Sequence, residues 1–114
     1  MFIFSLSFSQ DKYKYEGQII GLKDTTCMLA YYYGDKQYAR DTSNIDSEGR
    51  FIFSGNKSLD HGMYMVVLPD GNYIEIVITE DNFSFVTELD DLVGKMKFSN
   101  SYENEKFYGY MQFI

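Results

Sequence analysis

The chain has one cysteine, one histidine, one proline and no tryptophan among its 114 residues. A single thiol, Cys27, cannot form an internal disulfide or a CxxC redox pair. We interpret Cys27 as a small apolar side chain on a strand, the alternative being a reactive or intermolecular thiol. Structural zinc needs about four ligands, usually Cys and His. His61 has no Cys, His or Ser partner near it in sequence, so we interpret it as a surface-turn residue rather than a base or a ligand.

Basic residues are also scarce: 10 stand against 17 acidic ones, and the net charge is -7. Such a charge repels phosphate backbones and anionic membrane surfaces, so nucleic-acid binding is not expected. The acidic residues cluster at predicted turns, where aspartate is common, and none of the clusters has the EF-hand spacing. We therefore expect no metal and no cofactor; a calcium loop and a paired-carboxylate hydrolase are the weaker alternatives.

Aromatic residues are abundant, with 11 Tyr and 10 Phe. This composition favours strands, and turn signals recur about every 8–12 residues, as in a sandwich or barrel. We predict strands at residues 13–20, 26–33, 37–44, 51–54, 63–68 and 73–79, another that carries Phe83 and Phe85, and a short one around 95–98. Residues 26–33 are apolar on both faces, which indicates a central strand. Residues 37–44 are more polar, which indicates an edge strand.

The stretch 41–55, DTSNIDSEGRFIFSG, organises this pattern. It reads as a strand end, a tight turn in which Gly49 takes a positive φ, and a returning strand. Alternation in the returning strand places Phe51 and Phe53 on one face. The fold class that follows is all-β: an antiparallel β-sandwich of about seven or eight strands with one C-terminal helix.

Residues 1–10, MFIFSLSFSQ, allow two interpretations. A short apolar run followed by small residues at Ser7 and Ser9 resembles the tail of a signal peptide, and this is the interpretation that we favour. The alternation of Phe2, Phe4 and their neighbours alternatively fits an edge strand. We divide the chain into this possible signal remnant, a β-sandwich domain at 11–99, and the start of a helical connector at 100–114.

The helical segment has an N-cap candidate at Asn100 or Ser101. Helical spacing then predicts one apolar stripe, which consists of Phe107, Tyr110, Met111 and Ile114. Because the chain stops within this stripe, we expect a further C-terminal region that this sequence does not contain.

The tyrosines give one candidate binding site, because a tyrosine-rich surface could form a platform for a sugar or a peptide. The tyrosines considered are Tyr31, Tyr32, Tyr33, Tyr38, Tyr64 and Tyr73. The interpretation that we favour is packing in the core or across strands. The alternative is a ligand site, for which Tyr31, Tyr33, Tyr38 and Tyr73 are the candidate ligand-facing residues. No catalytic residues are predicted.

Three segments stand in a characteristic order: YEGQIIGLKDTTCMLAYYYGDKQYARDTSNIDSEGRFIFSG, then HGMYMVVLPDGNYIEIVI, then SNSYENEKFYGYMQF. Together they resemble the β-rich domain of unknown function that precedes thioredoxin-like modules, of the thiol peroxidase and disulfide oxidoreductase type, in bacterial envelope proteins. The resemblance covers nearly all of residues 15–114.

The resemblance implies a non-catalytic accessory domain of an exported redox protein, located in the periplasm or cell envelope. Redox chemistry would belong to the CxxC of the thioredoxin-like module, which this chain lacks. The expected partners are that module of the same protein and an envelope protein, a peptide or a glycan. An independent glycan- or peptide-binding module is the alternative function.

Overall fold

A computed structural model describes residues 11–113, which contain eight strands and one helix. In chain order the elements are β1 (Tyr13–Ile20), β2 (Thr25–Tyr33), β3 (Lys36–Ile45), β4 (Arg50–Gly55), β5 (Gly62–Val67), β6 (Tyr73–Ile78), β7 (Asn82–Glu88), β8 (Lys97–Ser99) and α1 (Tyr102–Phe113). The strands whose limits were predicted from sequence begin and end within two residues of these bounds. Both interpretations of residues 1–10 lie outside the described residues.

The strands form two four-stranded sheets around one core, which confirms the predicted sandwich. Sheet A has the order β4-β1-β7-β8, and sheet B has the order β3-β2-β5-β6. The central position of β2 and the edge position of β3 are confirmed. The pairs in sheet B are antiparallel.

Sheet A differs from a purely antiparallel sheet at one pair, because β1 and β7 run parallel. A parallel pair needs a long crossover connection, and the chain between these two strands builds β4 and all of sheet B. Sheet A is therefore mixed, a feature that hydrophobic alternation along single strands does not reveal.

The core lies between the sheets and consists of the inward residue of each alternating pair. Tyr15 and Phe53 from sheet A, and Leu29 and Ile76 from sheet B, are almost completely buried. The buried Tyr15 hydroxyl donates a hydrogen bond to the Glu80 carbonyl oxygen at 2.7 Å, so its polar end has a partner. Aliphatic side chains dominate sheet B, whereas aromatic ones dominate sheet A.

Asp46 and Gly49 determine the conformation of the turn between β3 and β4. The Asp46 carboxylate accepts hydrogen bonds from the backbone N–H groups of Glu48 at 2.8 Å and Arg50 at 2.9 Å. These bonds favour the charged form and hold the pKa of Asp46 below its usual range. Gly49 has φ of 82°, as predicted. The two strands belong to different sheets, so this turn is a corner that links the layers.

Helix α1 closes the free edge of β6. The Asn104 side chain accepts a hydrogen bond from the Val77 N–H and donates one to the Val77 C=O, both at 2.7 Å. The Tyr108 hydroxyl donates to the Glu75 carbonyl oxygen, and Phe98 packs on the Tyr108 ring. The helix therefore satisfies edge backbone groups that would otherwise be open to another strand.

The predicted apolar stripe of α1 is wrong in part. Tyr110 is exposed, while Phe107 and Met111 pack against the core. Ile114, the last residue of the predicted stripe, lies outside the described residues. The fully buried helical positions are Asn104 and Tyr108. A helix that packs on the edge of a strand needs polar groups there, because the strand backbone presents its own N–H and C=O groups. Within residues 11–113, no helix has the length and apolarity to cross a membrane.

Candidate functional site

The β2–β3 hairpin extends beyond the rest of the sandwich. These strands have nine and ten residues, whereas the neighbouring β5 has six. Gly34, at φ of 67°, occupies the first position of the two-residue turn between Tyr33 and Lys36, where hairpin turns favour glycine. Along the inner face of β2, Leu29 is completely buried but Tyr33 is 75% exposed. The hairpin therefore carries its inner face out of the core and into solvent.

Three tyrosines lie on this inner face of the hairpin. Tyr31 and Tyr38 are cross-strand partners, and their rings stack with centroids 5.7 Å apart and planes at 24°. Tyr33 meets Tyr38 edge to face at 6.5 Å. Tyr31 also contacts the ring of Tyr64 at 6.1 Å, which joins the exposed tyrosines to the core. We call Tyr31, Tyr33 and Tyr38 the tyrosine platform.

A cleft of about 460 Å³ lies beside the platform, and Tyr31, Tyr33 and Tyr64 line it. Its opposite wall is the connection between β4 and β5, which includes Asp60 and His61. The Tyr64 hydroxyl donates a hydrogen bond to the Asp60 carbonyl oxygen at 2.8 Å, so the wall is fixed to β5. Burial, and next the Asp60 carboxylate, raise the pKa of Tyr64. The cleft thus combines aromatic rings with a carboxylate and an imidazole.

Arg40 adds a positive charge to the same cleft. The β2–β3 register shifts between Leu29 and Ala30, which pair with Asp41 and Ala39. Arg40 is thus the extra residue of a β-bulge, a feature that redirects side chains at sheet edges and beside functional sites. Next to it, Asp41 accepts a hydrogen bond from the Tyr13 hydroxyl at 3.0 Å. Burial and this bond raise the pKa of Tyr13 to about 12.

The structure brings together three of the four predicted site residues: Tyr31, Tyr33 and Tyr38. Tyr73 does not belong with them. It pairs with Val67, which pairs in turn with Met28, so Tyr73 lies toward the other end of sheet B. It is exposed, and the next residue, Ile74, points into the core. Tyr73 therefore occupies the outer face of sheet B, apart from the other three predicted site residues.

Sequence reasoning missed the charged members of the cleft, Arg40 and Asp60. The bulge that adds Arg40 is a property of strand pairing and leaves no signal in the alternation of β3. His61 was predicted as a turn residue, and the structure places it in the β4–β5 connection, where it also lines the cleft. The proximity of Asp60 and His61 to the platform depends on the path of that connection.

A second depression, of about 540 Å³, lies on the outer face of sheet A. Register places two rows of side chains across its four strands: Arg50, Gln18, Val86 and Lys97, then Ile52, Glu16, Ser84 and Ser99. This mixture of small, polar and charged side chains is normal for a solvated sheet face. Its larger volume alone does not distinguish it, so the tyrosine cleft is the better candidate site.

The described part of the chain has no exposed cysteine and no cluster of metal ligands. Cys27 is buried, and burial followed by the charge of Asp41 raises the pKa of its thiol to about 12. The thiolate, which is the reactive form, is thereby disfavoured. Residues 11–113 contain no group of three or more His, Cys, Asp or Glu side chains arranged to hold a metal ion. The cleft therefore offers aromatic rings and hydrogen-bonding side chains.

Fold and cleft together define an all-β sandwich domain with an open cleft beside exposed tyrosines. Residues 13–107 match a family described as "Domain of unknown function (DUF4369)". This match spans most of the chain, so the protein belongs to that family. No curated protein and no solved structure matches the sequence.

Proposed function

We propose that this chain is a non-catalytic accessory domain that binds a carbohydrate in the tyrosine cleft. The observation that carries the proposal is the projecting hairpin, which holds Tyr31, Tyr33 and Tyr38 on an inner face that sheet A does not cover. Large aromatic side chains left in solvent at one place are characteristic of interaction sites.

The cleft has the chemistry that a sugar ring requires. A pyranose has apolar C–H faces and a rim of hydroxyl groups. Tyrosine rings offer apolar faces for stacking and hydroxyls for hydrogen bonds, with few rotatable bonds to immobilise. On the opposite wall, the Asp60 carboxylate can only accept hydrogen bonds when it is ionised, which suits sugar hydroxyls. A few polar groups placed around apolar surface are the usual composition of a ligand site.

A peptide is the less favoured ligand. Extended peptides commonly bind by adding a strand to a free sheet edge, and β3, which contributes Arg40 to the cleft, is an edge strand of sheet B. The bulge at Arg40 interrupts the regular pattern of hydrogen-bonding groups along this edge, and Lys36 adds a charge. Both features oppose strand addition, whereas neither prevents a sugar from stacking on the platform.

Calorimetric titration with a panel of oligosaccharides tests the proposal. Replacement of Tyr33, the most exposed platform residue, by Ala should weaken binding of a positive oligosaccharide about tenfold, or about 1.4 kcal/mol. Tyr73→Ala is the matched control, because Tyr73 is an exposed tyrosine outside the cleft, and it should change nothing. Equal effects of the two substitutions would contradict the proposed site, and binding of extended peptides alone would favour the peptide alternative.

We further propose that the domain serves a thioredoxin-like redox module encoded in the same protein and exported to the periplasm or cell envelope. The sequence resemblance supports this context, and the buried thiol of Cys27 is consistent with redox chemistry residing elsewhere. Sequencing of the gene beyond the codon for Ile114 tests the context. A thioredoxin-like module with a CxxC is the expected result, and a stop codon would contradict it. Cell fractionation tests the location separately.

A further inference from the structure

Arg40 is present in the cleft because β3 contains one more residue than the strand opposite. Between the Tyr31–Tyr38 pair and the Leu29–Asp41 pair, β2 advances by two residues but β3 advances by three. The additional residue is Arg40, between Ala39 and Asp41. A regular strand would keep the Tyr31–Tyr38 pair and the Leu29–Asp41 pair without any arginine. The bulge thus places a guanidinium beside the platform and changes neither pair.

The guanidinium of Arg40 has no ion-pair or hydrogen-bond partner within residues 11–113. The adjacent carboxylate, that of Asp41, already accepts hydrogen bonds from the Tyr13 hydroxyl and the Thr42 N–H. The chain has one other arginine, Arg50, whose Nη1 lies 2.6 Å from a Glu48 carboxylate oxygen. Among the described residues, Arg50 is thus ion-paired with a carboxylate and Arg40 is not.

Guanidinium groups have a fixed planar fork that matches the two oxygens of a carboxylate. A ligand that stacks on the tyrosine platform and carries a carboxylate at its rim can use both features together. Uronic acids have this chemistry, since their carboxylate is attached to the pyranose ring. Their hydroxyls remain available to Asp60 on the opposite wall. Neutral sugars can stack on the same rings but leave Arg40 unpaired.

We propose that the tyrosine cleft is selective for acidic sugars, with Arg40 as the residue that recognises the carboxylate. This inference rests on the proposed carbohydrate-binding function and names the class of sugar. In this proposal, the bulge positions Arg40 to make the contact that recognises the charge of the sugar. Selectivity then depends on a single side chain, while affinity for the sugar ring depends on the tyrosines.

Calorimetry with matched probes tests the inference. The probes are uronic-acid trisaccharides (galacturonate, glucuronate and mannuronate) and their methyl esters, which keep the ring and hydroxyls but lack the charge. We expect at least one acid to bind about tenfold more tightly than its ester, as one charge-assisted contact would give. Raising the salt concentration from about 50 to 500 mM should weaken binding of the acid and leave that of the ester unchanged.

Substitution of the two arginines identifies the responsible group. Arg40→Gln should remove the difference between acid and ester, and Arg40→Lys should keep part of it, because lysine retains the charge but lacks the fork. Arg50→Gln is the matched control and should preserve the difference. Since Arg40 is an exposed strand residue, circular dichroism and Tm should be nearly unchanged in the Arg40 variants.

Different failures separate the two proposals. If acid and ester bind equally and Tyr33→Ala weakens both, the carbohydrate site stands and acid selectivity is refuted. If the difference survives in Arg40→Gln, another group recognises the carboxylate and the role of Arg40 is refuted. If no acid, ester or neutral oligosaccharide binds, both proposals are refuted.

Discussion

Asn104 connects helix α1 to the sandwich, and its replacement by Ala should be among the most damaging single substitutions in the helix. The side chain is fully buried and spans the N–H and C=O of Val77, both at 2.7 Å. It also donates a hydrogen bond to the Ser101 hydroxyl at 2.9 Å. The Asn104 amide thus makes the two hydrogen bonds that a residue of a fifth strand would make with the β6 edge.

The expected loss follows from those bonds. A neutral hydrogen bond contributes about 1 kcal/mol net, and leaving its buried partner unsatisfied adds about 1–3 kcal/mol. Asn104→Ala removes both bonds to Val77, so we expect the free energy of unfolding to fall by about 3 kcal/mol. For a domain of about 100 residues, this corresponds to a Tm lower by roughly 10–20 °C.

Asn104→Asp tests the mechanism more directly, because the two side chains have the same shape. Oδ1 can still accept from the Val77 N–H, but the second oxygen now faces the Val77 C=O in place of a donor. The ionised side chain is therefore disfavoured in the fold, and its pKa should rise above the unfolded value of about 4. A raised carboxyl pKa means that stability is regained as pH falls, since the protonated acid can again donate.

Urea unfolding at pH 7 and pH 4, followed by circular dichroism, provides the measurement. Asn56→Ala is the control, because Asn56 is an exposed loop residue, and it should change stability by less than about 0.5 kcal/mol. The reasoning is refuted if Asn104→Ala is as mild as the control. It is also refuted if Asn104→Asp matches the native chain at pH 7.

Three further predictions concern the turn, the hairpin and the thiol. Gly49→Ala should lower the free energy of unfolding by about 3 kcal/mol or more, because its Cβ would lie 2.1 Å from the Ile19 carbonyl oxygen, whereas left-handed strain alone costs about 1–2 kcal/mol. Gly34→Ala, which has a similar φ and open space around it, measures the strain without the clash. Equal losses of Tm in the two variants would contradict the clash. Asp46→Asn should lower Tm at pH 7 but not near pH 2, because a depressed carboxyl pKa stabilises only above the unfolded value of about 4 and that contribution disappears as pH falls; a Tm difference that does not change with pH would refute this. Cys27 should react with a disulfide reagent at pH 8 about a hundredfold more slowly in the native chain than in guanidinium, and equal rates would show that the thiol is accessible.

Much of the fold could be predicted from sequence because each strand carries its own alternation. Ile74, Ile76 and Ile78 point inward as expected, and polar residues identify β3 as an edge. The parallel β1–β7 pair could not be predicted, since it depends on which distant strands become neighbours. The apolar stripe predicted for α1 is wrong in part for a related reason. The partner of α1 is a strand edge, and that edge requires the polar side chain of Asn104.

Only part of the candidate site could be predicted, because residue type is visible in the sequence but strand pairing is not. Residue type suggested tyrosines, and Tyr31 and Tyr38 meet because a two-residue turn fixes their register. Tyr73 is also exposed but lies on another face of the sheet, and composition cannot distinguish the two faces. Arg40 depends on a bulge, and a bulge is visible only in the pairing of two strands.

The two edges of sheet B show why the tyrosine cleft lies where it does. Helix α1 occupies the β6 edge, and Asn104 satisfies the exposed backbone there with side-chain bonds. At the β3 edge, the Ile52 N–H of β4 donates a hydrogen bond to the Ser43 hydroxyl. Nearer the hairpin turn, charge and the bulge at Arg40 protect this edge from strand addition. The same bulge presents Arg40 beside the stacked tyrosines. The same departure from regular pairing interrupts the edge and presents Arg40. Deletion of Arg40, which restores a regular strand, should therefore increase self-association and, under the proposed selectivity, abolish the preference for acids.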